Sequence, residues 1–572
     1  MKKTPLILLP ILVLFLTGGV SFAQQPRTSQ ELSGMERSRE LEAKRKELEA
    51  EIKKKKTKPE IEEELPAAAM PALPSEKVLI KTIKVTGATL ISKKEIDPVI
   101  KQFENKELPL TEMQKAADLI TDLYRKKGYI TSRAYLPPQK IENGTFEIKT
   151  VEGKMGDLDV KGNYYYKSYL FKKKFILRKG EPFNYYILTK ILRKINSQPD
   201  RFAKAVLVPG EAPGATDVKL EVKDNLPIHA SWDYDNYGSR YILNNRYQFG
   251  LRHNNLFGMG DMLDVKYMLS EADAYQMIGG SYVLPVTDTF NLGFSTFWSK
   301  LHLMGDYKSL DIRGNSQIYS LFATQNIADD DNFTFNLNMG LDIKNIFNFQ
   351  QGQETSRDMM RPLKVGYDID VTDPLGRTVM SNEINIGLPG FMAGAKAQDS
   401  RASVPGSGGE FVKFLFNIFR LQPMPFESMI LWKNQIQAST KVLTATEQYQ
   451  IGGVINVRGY PIAELVGDQG LSSTVEWSFP VYFIPKDLKI PFTQTKFYDA
   501  VRLVAFYDYG AVWLREPNAA AKPFDQLSDF GWGVRFNLPK NFFFKAEFAY
   551  PINAQASDGK GQRAWVQVSA NF

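Results

Sequence analysis

The chain has 572 residues, a formal net charge of +8, 12% aromatic residues and no cysteine, and at this length it can hold more than one domain. Without cysteine there are no disulfides, thiolate metal sites, thiol nucleophiles or cysteine-linked lipid anchors. Basic and acidic residues are interleaved, which is typical of a solvated surface and does not predict a nucleic-acid site. The three histidines lack metal-ligand spacing, which favours surface or wall positions over a zinc site: His229, His253 and His302.

Residues 1–23 predict a secretory signal peptide. Two lysines precede an apolar core at Leu6–Leu16, and Ser21-Phe22-Ala23 is a small-x-small cleavage site. This core is short for a membrane-spanning helix, although an uncleaved N-terminal anchor is the alternative. No later segment is an apolar run of about 18 residues. If the mature chain spans a membrane, we expect a closed β-barrel, because only helices and closed barrels satisfy every backbone group in lipid.

Residues 24–58 predict a charged helix, and residues 59–77 predict a linker. Four Glu–Lys pairs have the favourable i,i+4 order, namely Glu40–Lys44, Glu42–Lys46, Glu49–Lys53 and Glu51–Lys55. Apolar positions are sparse, so the helix either stays in solvent or occupies a polar, water-filled cavity such as a pore. The linker contains Pro66, Pro71 and Pro74 among alanines, which predicts a semi-rigid, extended segment.

The next segment predicts a small α+β module. An alternating strand occupies Leu79–Val85, and the capping box Thr111-Glu112-Met113-Gln114 predicts the start of a helix. Two further strands follow the helix, around Ser132–Leu136 and Thr145–Val151.

The same module recurs about 75 residues later. Val85-Thr86-Gly87 corresponds to Val160-Lys161-Gly162, and Phe146–Ile148 corresponds to Val218–Leu220. Self-similarity at a fixed period is typical of tandem domains. We therefore predict two copies of one α+β module, which span 78–151 and 152–225.

From residue 226 to residue 572 the sequence is typical of an antiparallel transmembrane β-barrel. Short alternating strands, aromatic residues and Gly/Asn/Asp turns replace helical periodicity. In Ala564–Phe572 every second residue is apolar and most of those between are polar, as a wall between lipid and water requires. At about 10 residues a strand, the region holds about 16 strands, with 14 or 18 as alternatives. We expect a long external loop at Gly390–Gly409 and a short periplasmic turn at Asn254–Asp261. A soluble multi-domain β-sandwich is the alternative fold.

Two motifs in the barrel region form the candidate functional site. One is Val457-Arg458-Gly459-Tyr460, preceded by two glycines, and the other is Phe506-Tyr507-Asp508-Tyr509-Gly510. An arginine in a loop and an aspartate in a barrel strand can meet inside the lumen, where the guanidinium fork suits a bidentate carboxylate contact. We therefore expect Arg458 to pair with Asp508, and Gly459 and Gly510 to allow close backbone approach.

These motifs, behind two repeated modules, resemble those of the outer-membrane transporters of two-partner secretion, the hemolysin and filamentous-hemagglutinin secretion type. The resemblance covers essentially the whole mature chain. It implies that the modules are periplasmic POTRA domains and that the first periplasmic turn includes Asn255–Asp261. It also implies the following site residues: Val457, Arg458, Gly459 and Tyr460 as the pore-loop motif, and Phe506, Asp508 and Gly510 as its barrel-wall partner.

The resemblance implies an outer-membrane transporter that captures an unfolded partner in the periplasm and secretes it through its barrel without nucleotide hydrolysis. The implied partners are a large secreted exoprotein bound by the POTRA-like modules, outer-membrane lipid, and the barrel assembly machinery, which recognises a C-terminal strand ending at Phe572. No catalytic, cofactor or metal site is predicted, because no phosphate-binding glycine loop, catalytic triad or ligand cluster occurs. The alternative function is an insertase that assembles other barrels.

Overall fold

The computed structural model describes residues 60–63, 77–141, 143–491, 493–517, 521–538 and 542–572. These residues divide into two compact units, an α+β unit and a β-barrel. The α+β unit draws on residues 60–227 and 254–260, and the barrel unit draws on residues 228–253 and 261–572. The predicted signal peptide (1–23), the charged helix (24–58) and most of the linker (59–77) lie outside the described residues.

In its described residues the α+β unit consists of nine strands and four helices. The strands are β1 (Ile61–Glu63), β2 (Lys77–Ile80), β3 (Thr82–Thr86), β4 (Lys106–Pro109), β5 (Arg133–Tyr135), β6 (Thr145–Val151), β7 (Lys154–Lys161), β8 (Arg201–Pro209) and β9 (Ala215–Asp224). The helices are α1 (Lys93–Ile100), α2 (Leu110–Lys126), α3 (Ser168–Lys172) and α4 (Tyr185–Asn196).

The two modules of this unit repeat one pattern of strand pairing. In the first module β3 runs parallel to β6, and in the second β7 runs parallel to β9. A glycine with positive φ follows β3 and β7, at 83° for Gly87 and 85° for Gly162. A side chain at either position would clash with a backbone carbonyl on the partner strand. Helices α2 and α4 pack their apolar faces into two separate cores.

Two local predictions for the first module are wrong. The segment Leu79–Val85 forms two strands, because β2 pairs with β4 whereas β3 pairs with β6. The chain changes partner at Lys81, whose N–H donates to the carbonyl of Gly144 at 2.7 Å. The predicted helix start at Thr111 is also wrong, because β4 runs directly into α2. Pro109 is the N-cap, and Thr111 already lies in the first turn.

The sheet of the second module has an additional edge strand that comes from the linker. Its strand order is β1-β8-β9-β7, and β1 runs parallel to β8 with Ile61 opposite Ala205. The N–H of Ala205 donates to the carbonyl of Glu60 at 3.2 Å, and Ile61 packs against the core of the module. The linker therefore contains a strand of three residues that covers this sheet edge.

The barrel is closed by 16 antiparallel strands, which confirms the predicted fold class and strand number. Strands β17 and β18 both pair with β16 and act as one interrupted strand. The wall strands are β10 (Ile228–Asp235), β11 (Arg246–His253), β12 (Met262–Ser270), β13 (Tyr275–Pro285), β14 (Phe290–His302), β15 (Ile312–Asp329), β16 (Phe333–Gln350), β17 (Gln353–Met360), β18 (Pro362–Asp373), β19 (Gly376–Gly387), β20 (Val412–Met424), β21 (Ser428–Ser439), β24 (Gln469–Pro480), β25 (Val501–Trp513), β26 (Phe524–Leu538), β27 (Phe542–Pro551) and β28 (Arg563–Asn571).

Other short elements lie between the wall strands. Strands β22 (Tyr449–Ile451) and β23 (Leu465–Gly467) pair with each other within the connection between β21 and β24, and helix α5 (Phe497–Ala500) precedes β25. The 3₁₀ turns in the described barrel residues are Glu271–Asp273, Gly305–Leu310 and Phe391–Ala393.

The wall strands alternate between an exposed apolar face and a buried polar face. Trp477 on β24 and Tyr507 on β25 are exposed, whereas their chain neighbours Glu476 and Asp508 are buried. An aromatic outer face suits lipid, and a polar inner face suits a water-filled interior. None of the described helices is both long and apolar enough to cross a membrane.

The two connections predicted in the barrel region are found as loops. Residues Gly390–Gly409 lie between β19 and β20, and Asn254–Asp261 lie between β11 and β12. The second connection is closed by Asn255, whose Oδ1 accepts a hydrogen bond from the N–H of Gly260 at 2.9 Å.

Candidate functional site

The candidate site lies in the connection between β21 and β24, residues 440–468, which we call the pore loop. Strands β22 and β23 form its two arms. Its tip is buried, with Arg458 2% exposed and Tyr460 fully covered. The side chains that bind the tip lie on the inner faces of β24 to β28, so the pore loop is folded into the barrel interior.

The structure brings Arg458 and Asp508 together in a bidentate ion pair. The Arg458 Nε donates to Asp508 Oδ2 at 2.7 Å, and its Nη2 donates to Oδ1 at 2.9 Å. Its Nη1 donates to Glu476 and to Glu547, each at 3.2 Å. The ring of Phe506 lies under the guanidinium, 3.3 Å from ring centre to Cζ. Three carboxylates from three wall strands therefore surround one loop cation.

These wall carboxylates have cationic partners of their own. Arg535 on β26 bridges the other two acids, with its Nη2 2.9 Å from Glu476 and 2.5 Å from Glu547. Lys433 on β21 lies 2.6 Å from Glu476. Because buried charges are tolerated only when they are paired and hydrogen-bonded, alternating signs let this acidic cluster persist without solvent. The cluster therefore forms a preorganised seat for a cation delivered by the loop.

The loop tip makes further hydrogen bonds to the wall and to the connection that precedes β28. The N–H of Gly459 donates to Asp529 Oδ2 on β26 at 2.7 Å. The indole Nε1 of Trp565 on β28 donates to the carbonyl of Arg458 at 2.7 Å. The hydroxyl of Tyr460 donates to the carbonyl of Ala554 at 2.9 Å. Each of three successive tip residues is therefore bonded to the wall or to the loop that precedes β28.

The two motif glycines lie where loop and wall approach closely. A Cβ on Gly459 would lie 2.7 Å from the Cβ of Asp529 and 3.0 Å from the backbone nitrogen of Pro551. A Cβ on Gly510 would lie 2.8 Å from a methyl carbon of Val457. Real Cβ atoms do not approach other atoms this closely, so glycine at both positions allows the tip to reach its seat.

The sequence motifs identify one half of this site and miss the other. The motif residues 457–460 and 506–510 meet as described. The motifs do not contain four other residues of the site, namely Glu476, Glu547, Asp529 and Trp565. None of these four lies in a local motif. The alternation of side chains along the strands is a usable signal, because each of these four residues lies on the buried face of its wall strand.

Two protein-family models match the chain. The model described as "Haemolysin secretion/activation protein ShlB/FhaC/HecB" matches residues 214–536, and "POTRA domain, ShlB-type" matches residues 78–153. The chain belongs to the haemolysin secretion/activation family. Its N-terminal α+β region carries a POTRA domain of the same type.

Two relatives illustrate the sequence similarity. Heme/hemopexin transporter protein HuxB of Haemophilus influenzae (strain 86-028NP) is 22% identical over 493 residues, which cover 84% of each chain. Outer membrane transporter CdiB of Escherichia coli O6:K15:H31 is 25% identical over 419 residues, which cover 70% of this chain and 69% of the relative.

Solved structures share the fold. CdiB from Escherichia coli matches with a TM-score of 0.69 at 19% identity, over 96% of this chain and all of that chain. BamA from Haemophilus ducreyi lacking POTRA domains 1–3 matches with a TM-score of 0.53 at 14% identity, over 86% of this chain and all of that chain.

The family assignment decides between the two predicted functions. The chain is an outer-membrane transporter of two-partner secretion with POTRA domains in the periplasm. The likeness to BamA is one of fold, whereas the family match and the relatives named HuxB and CdiB concern transporters. The secretion prediction is therefore confirmed in preference to the insertase.

Gly459→Ala is expected to unseat the loop tip. The added Cβ would meet the Cβ of Asp529 and the backbone nitrogen of Pro551 on two wall strands, so the tip is expected to move and to lose the bond from Gly459 to Asp529. We expect more frequent open events in single-channel recordings of the purified barrel in planar bilayers. Gly561→Ala is the matched control, because a Cβ there meets nothing within 4 Å. Equal recordings for the two variants would contradict the close fit.

Proposed function

We propose that this transporter captures its partner as an extended chain at the β8 edge of the second module, and that the pore loop closes the barrel until the partner passes. The partner is a large exoprotein that crosses the periplasm unfolded. The observation that carries the proposal is the burial of Arg458 among three wall carboxylates, because it accounts for a loop that stays inside a polar barrel.

The edge of β8 is suited to an extended chain. It already pairs with β1, through the bond from the Ala205 N–H to the Glu60 carbonyl. Backbone pairing of this kind accepts many sequences, which suits a long unfolded partner. The flanking Lys204 bonds to Glu62 at 3.1 Å and to Glu221 at 3.1 Å, and these two carboxylates raise the pKa of its amine. A partner that replaces β1 therefore meets open backbone groups beside a fixed positive charge.

The pore loop acts as a latch in this proposal. Its tip is fixed by a bidentate arginine pair and by backbone bonds to β26 and β28, so it occupies space that a passing chain needs. The interior that it leaves behind is polar, and water can solvate the released groups. The chain carries no phosphate-binding motif, and we infer that passage draws on binding and on folding of the partner outside the cell.

Arg458→Ala is expected to stop secretion while the barrel still assembles, because in this proposal passage starts from a loop fixed in its seat. Removing one partner of a buried ion pair costs about 3–5 kcal/mol, because the remaining charges lose their compensation. Here Asp508, Glu476 and Glu547 would be left without the loop cation. Arg458→Lys should also be defective, since lysine does not reproduce the bidentate geometry.

The measurement compares proteins in the medium with barrel levels in the outer membrane. Deleting the gene should remove one large secreted protein and leave other barrels intact, which identifies the partner. Arg401→Ala is the control, because that arginine lies in another barrel loop with an exposed side chain. Normal secretion by Arg458→Ala would contradict the latch.

Glu62→Pro is expected to strengthen capture of the partner about fivefold. With Ile61 opposite Ala205 in a parallel pair, the N–H of Glu62 faces β8, and proline removes it. Loss of one competing backbone bond is worth about 1 kcal/mol. Binding of an unfolded fragment of the partner identified by the gene deletion to the full chain in detergent is measured by fluorescence anisotropy.

Two variants test the origin of that effect. Glu62→Gln removes the charge but keeps the N–H, so it should bind the fragment more weakly than Glu62→Pro. Ala205→Pro removes the edge donor itself while sparing the pairing to β9, so it should weaken binding. Unchanged binding in both proline variants would place the capture site elsewhere.

We further propose that the charged segment 24–58 fills the pore beside the pore loop at rest. A helix rich in i,i+4 ion pairs with few apolar residues is compatible with a polar, water-filled interior. Deleting Thr28–Lys58 is expected to raise the single-channel conductance of the barrel. Unchanged conductance would make the segment a solvated spacer.

A further inference from the structure

A second buried ion pair joins the pore loop to the wall. Glu447 precedes β22 and is fully buried. Its carboxylate accepts a hydrogen bond from Lys344 on β16 at 2.9 Å and another from Lys413 on β20. The side chain of Gln437 on β21 donates to the carbonyl of Glu447 at 2.9 Å. One loop residue is thus held by three wall strands.

This contact has the reverse polarity of the Arg458 contact. At Glu447 the loop supplies the anion and the wall supplies the cations, whereas at Arg458 the loop supplies the cation. The wall strands also differ, being β16, β20 and β21 for Glu447 and β24, β25 and β27 for Arg458. The loop is therefore fixed at two points on different wall strands, by charges of opposite sign.

Lys344, one of the two lysines that hold Glu447, lies near other charged side chains of the wall. Lys344 lies 3.9 Å from Asp342, which in turn lies 2.5 Å from Lys364 on β18. When the loop leaves, Lys344 therefore keeps a carboxylate nearby. This arrangement lowers the electrostatic cost of releasing Glu447 and makes the contact reversible.

We propose that Glu447 is a second positioning residue of the pore loop, so that the loop leaves the interior only when the Glu447 and Arg458 contacts are both broken. The inference rests on the proposed role of the loop as a removable seal. Release of the loop then requires loss of the Glu447 contact in addition to loss of the Arg458 contact. A variant that loses Arg458 still has its loop held at Glu447, and the reverse also holds.

The test measures how often the loop leaves its seat. The chain has no cysteine, so Ile455→Cys near the loop tip provides a single reporter for a polar maleimide. In this background, Glu447→Gln is expected to raise the labelling rate of the folded barrel about tenfold, because the charge that pairs with both lysines is lost. Lys413→Met should give a smaller rise, since Lys344 remains. Lys344→Met combined with Lys413→Met should match Glu447→Gln.

Asp370→Asn is the control. Asp370 on β18 accepts a hydrogen bond from Arg377 on the neighbouring wall strand β19 at 2.8 Å, so this ion pair joins two wall strands to each other. Its loss should leave the labelling rate unchanged. A labelling rate for Glu447→Gln equal to that of Asp370→Asn would overturn the inference.

The labelling experiment also distinguishes a failure of the proposed function from a failure of this inference. If Arg458→Ala does not raise labelling of the reporter, the loop is not a removable seal at all. If Arg458→Ala raises labelling and Glu447→Gln does not, only the second contact loses its assigned role. Combining Glu447→Gln with Arg458→Ala should multiply the two single effects, because the two contacts share no side-chain partner. A combined rate no higher than that of the faster single variant would contradict independent contacts.

Discussion

A guanidinium that is almost completely buried must be neutralised where it lies, and this requirement organises the barrel interior. Arg458 needs carboxylates on β24, β25 and β27 at once, and those carboxylates need Arg535 and Lys433 in turn. No single strand contains this arrangement. The seat of the loop therefore exists only when the neighbouring wall strands are paired in the correct register, which ties the position of the loop to completion of the wall.

Under the proposed function, charge would also make the contact reversible. A loop held only by apolar packing would expose that surface to water on leaving, whereas released ions in a water-filled barrel are solvated on both sides. The loop tip does have apolar contacts, through Val457 and Tyr460. Its strongest directional contacts are nevertheless ionic, and they have opposite signs at the two anchor points. Ionic contacts of opposite sign at two points would suit a loop that stays in place at rest and leaves during secretion.

The sequence predicted the elements that have local signatures. Alternation along the chain predicted the barrel, the length of the region predicted about 16 strands, and the Arg458 and Asp508 motifs predicted their contact. The sequence does not reveal the roles of Glu476 and Glu547, because an isolated acid in an alternating strand looks like many others and its partner lies on a different strand. Strand β1 could not be predicted either, since three residues between charged and proline-rich segments have no periodicity and their partner lies on β8, in another part of the chain. The helix start at Thr111 was misplaced because a strand enters α2 without a loop.

The parallel pairing of β1 with β8 has a consequence for the direction of transport. A chain that reproduces these hydrogen bonds must run from its amino end to its carboxyl end in the same sense as β8. The direction of the backbone is the same at every point of an unfolded polypeptide, so this recognition does not depend on sequence. Capture at this edge would therefore orient the partner before it meets the barrel, and the end that enters first would be decided in the periplasm.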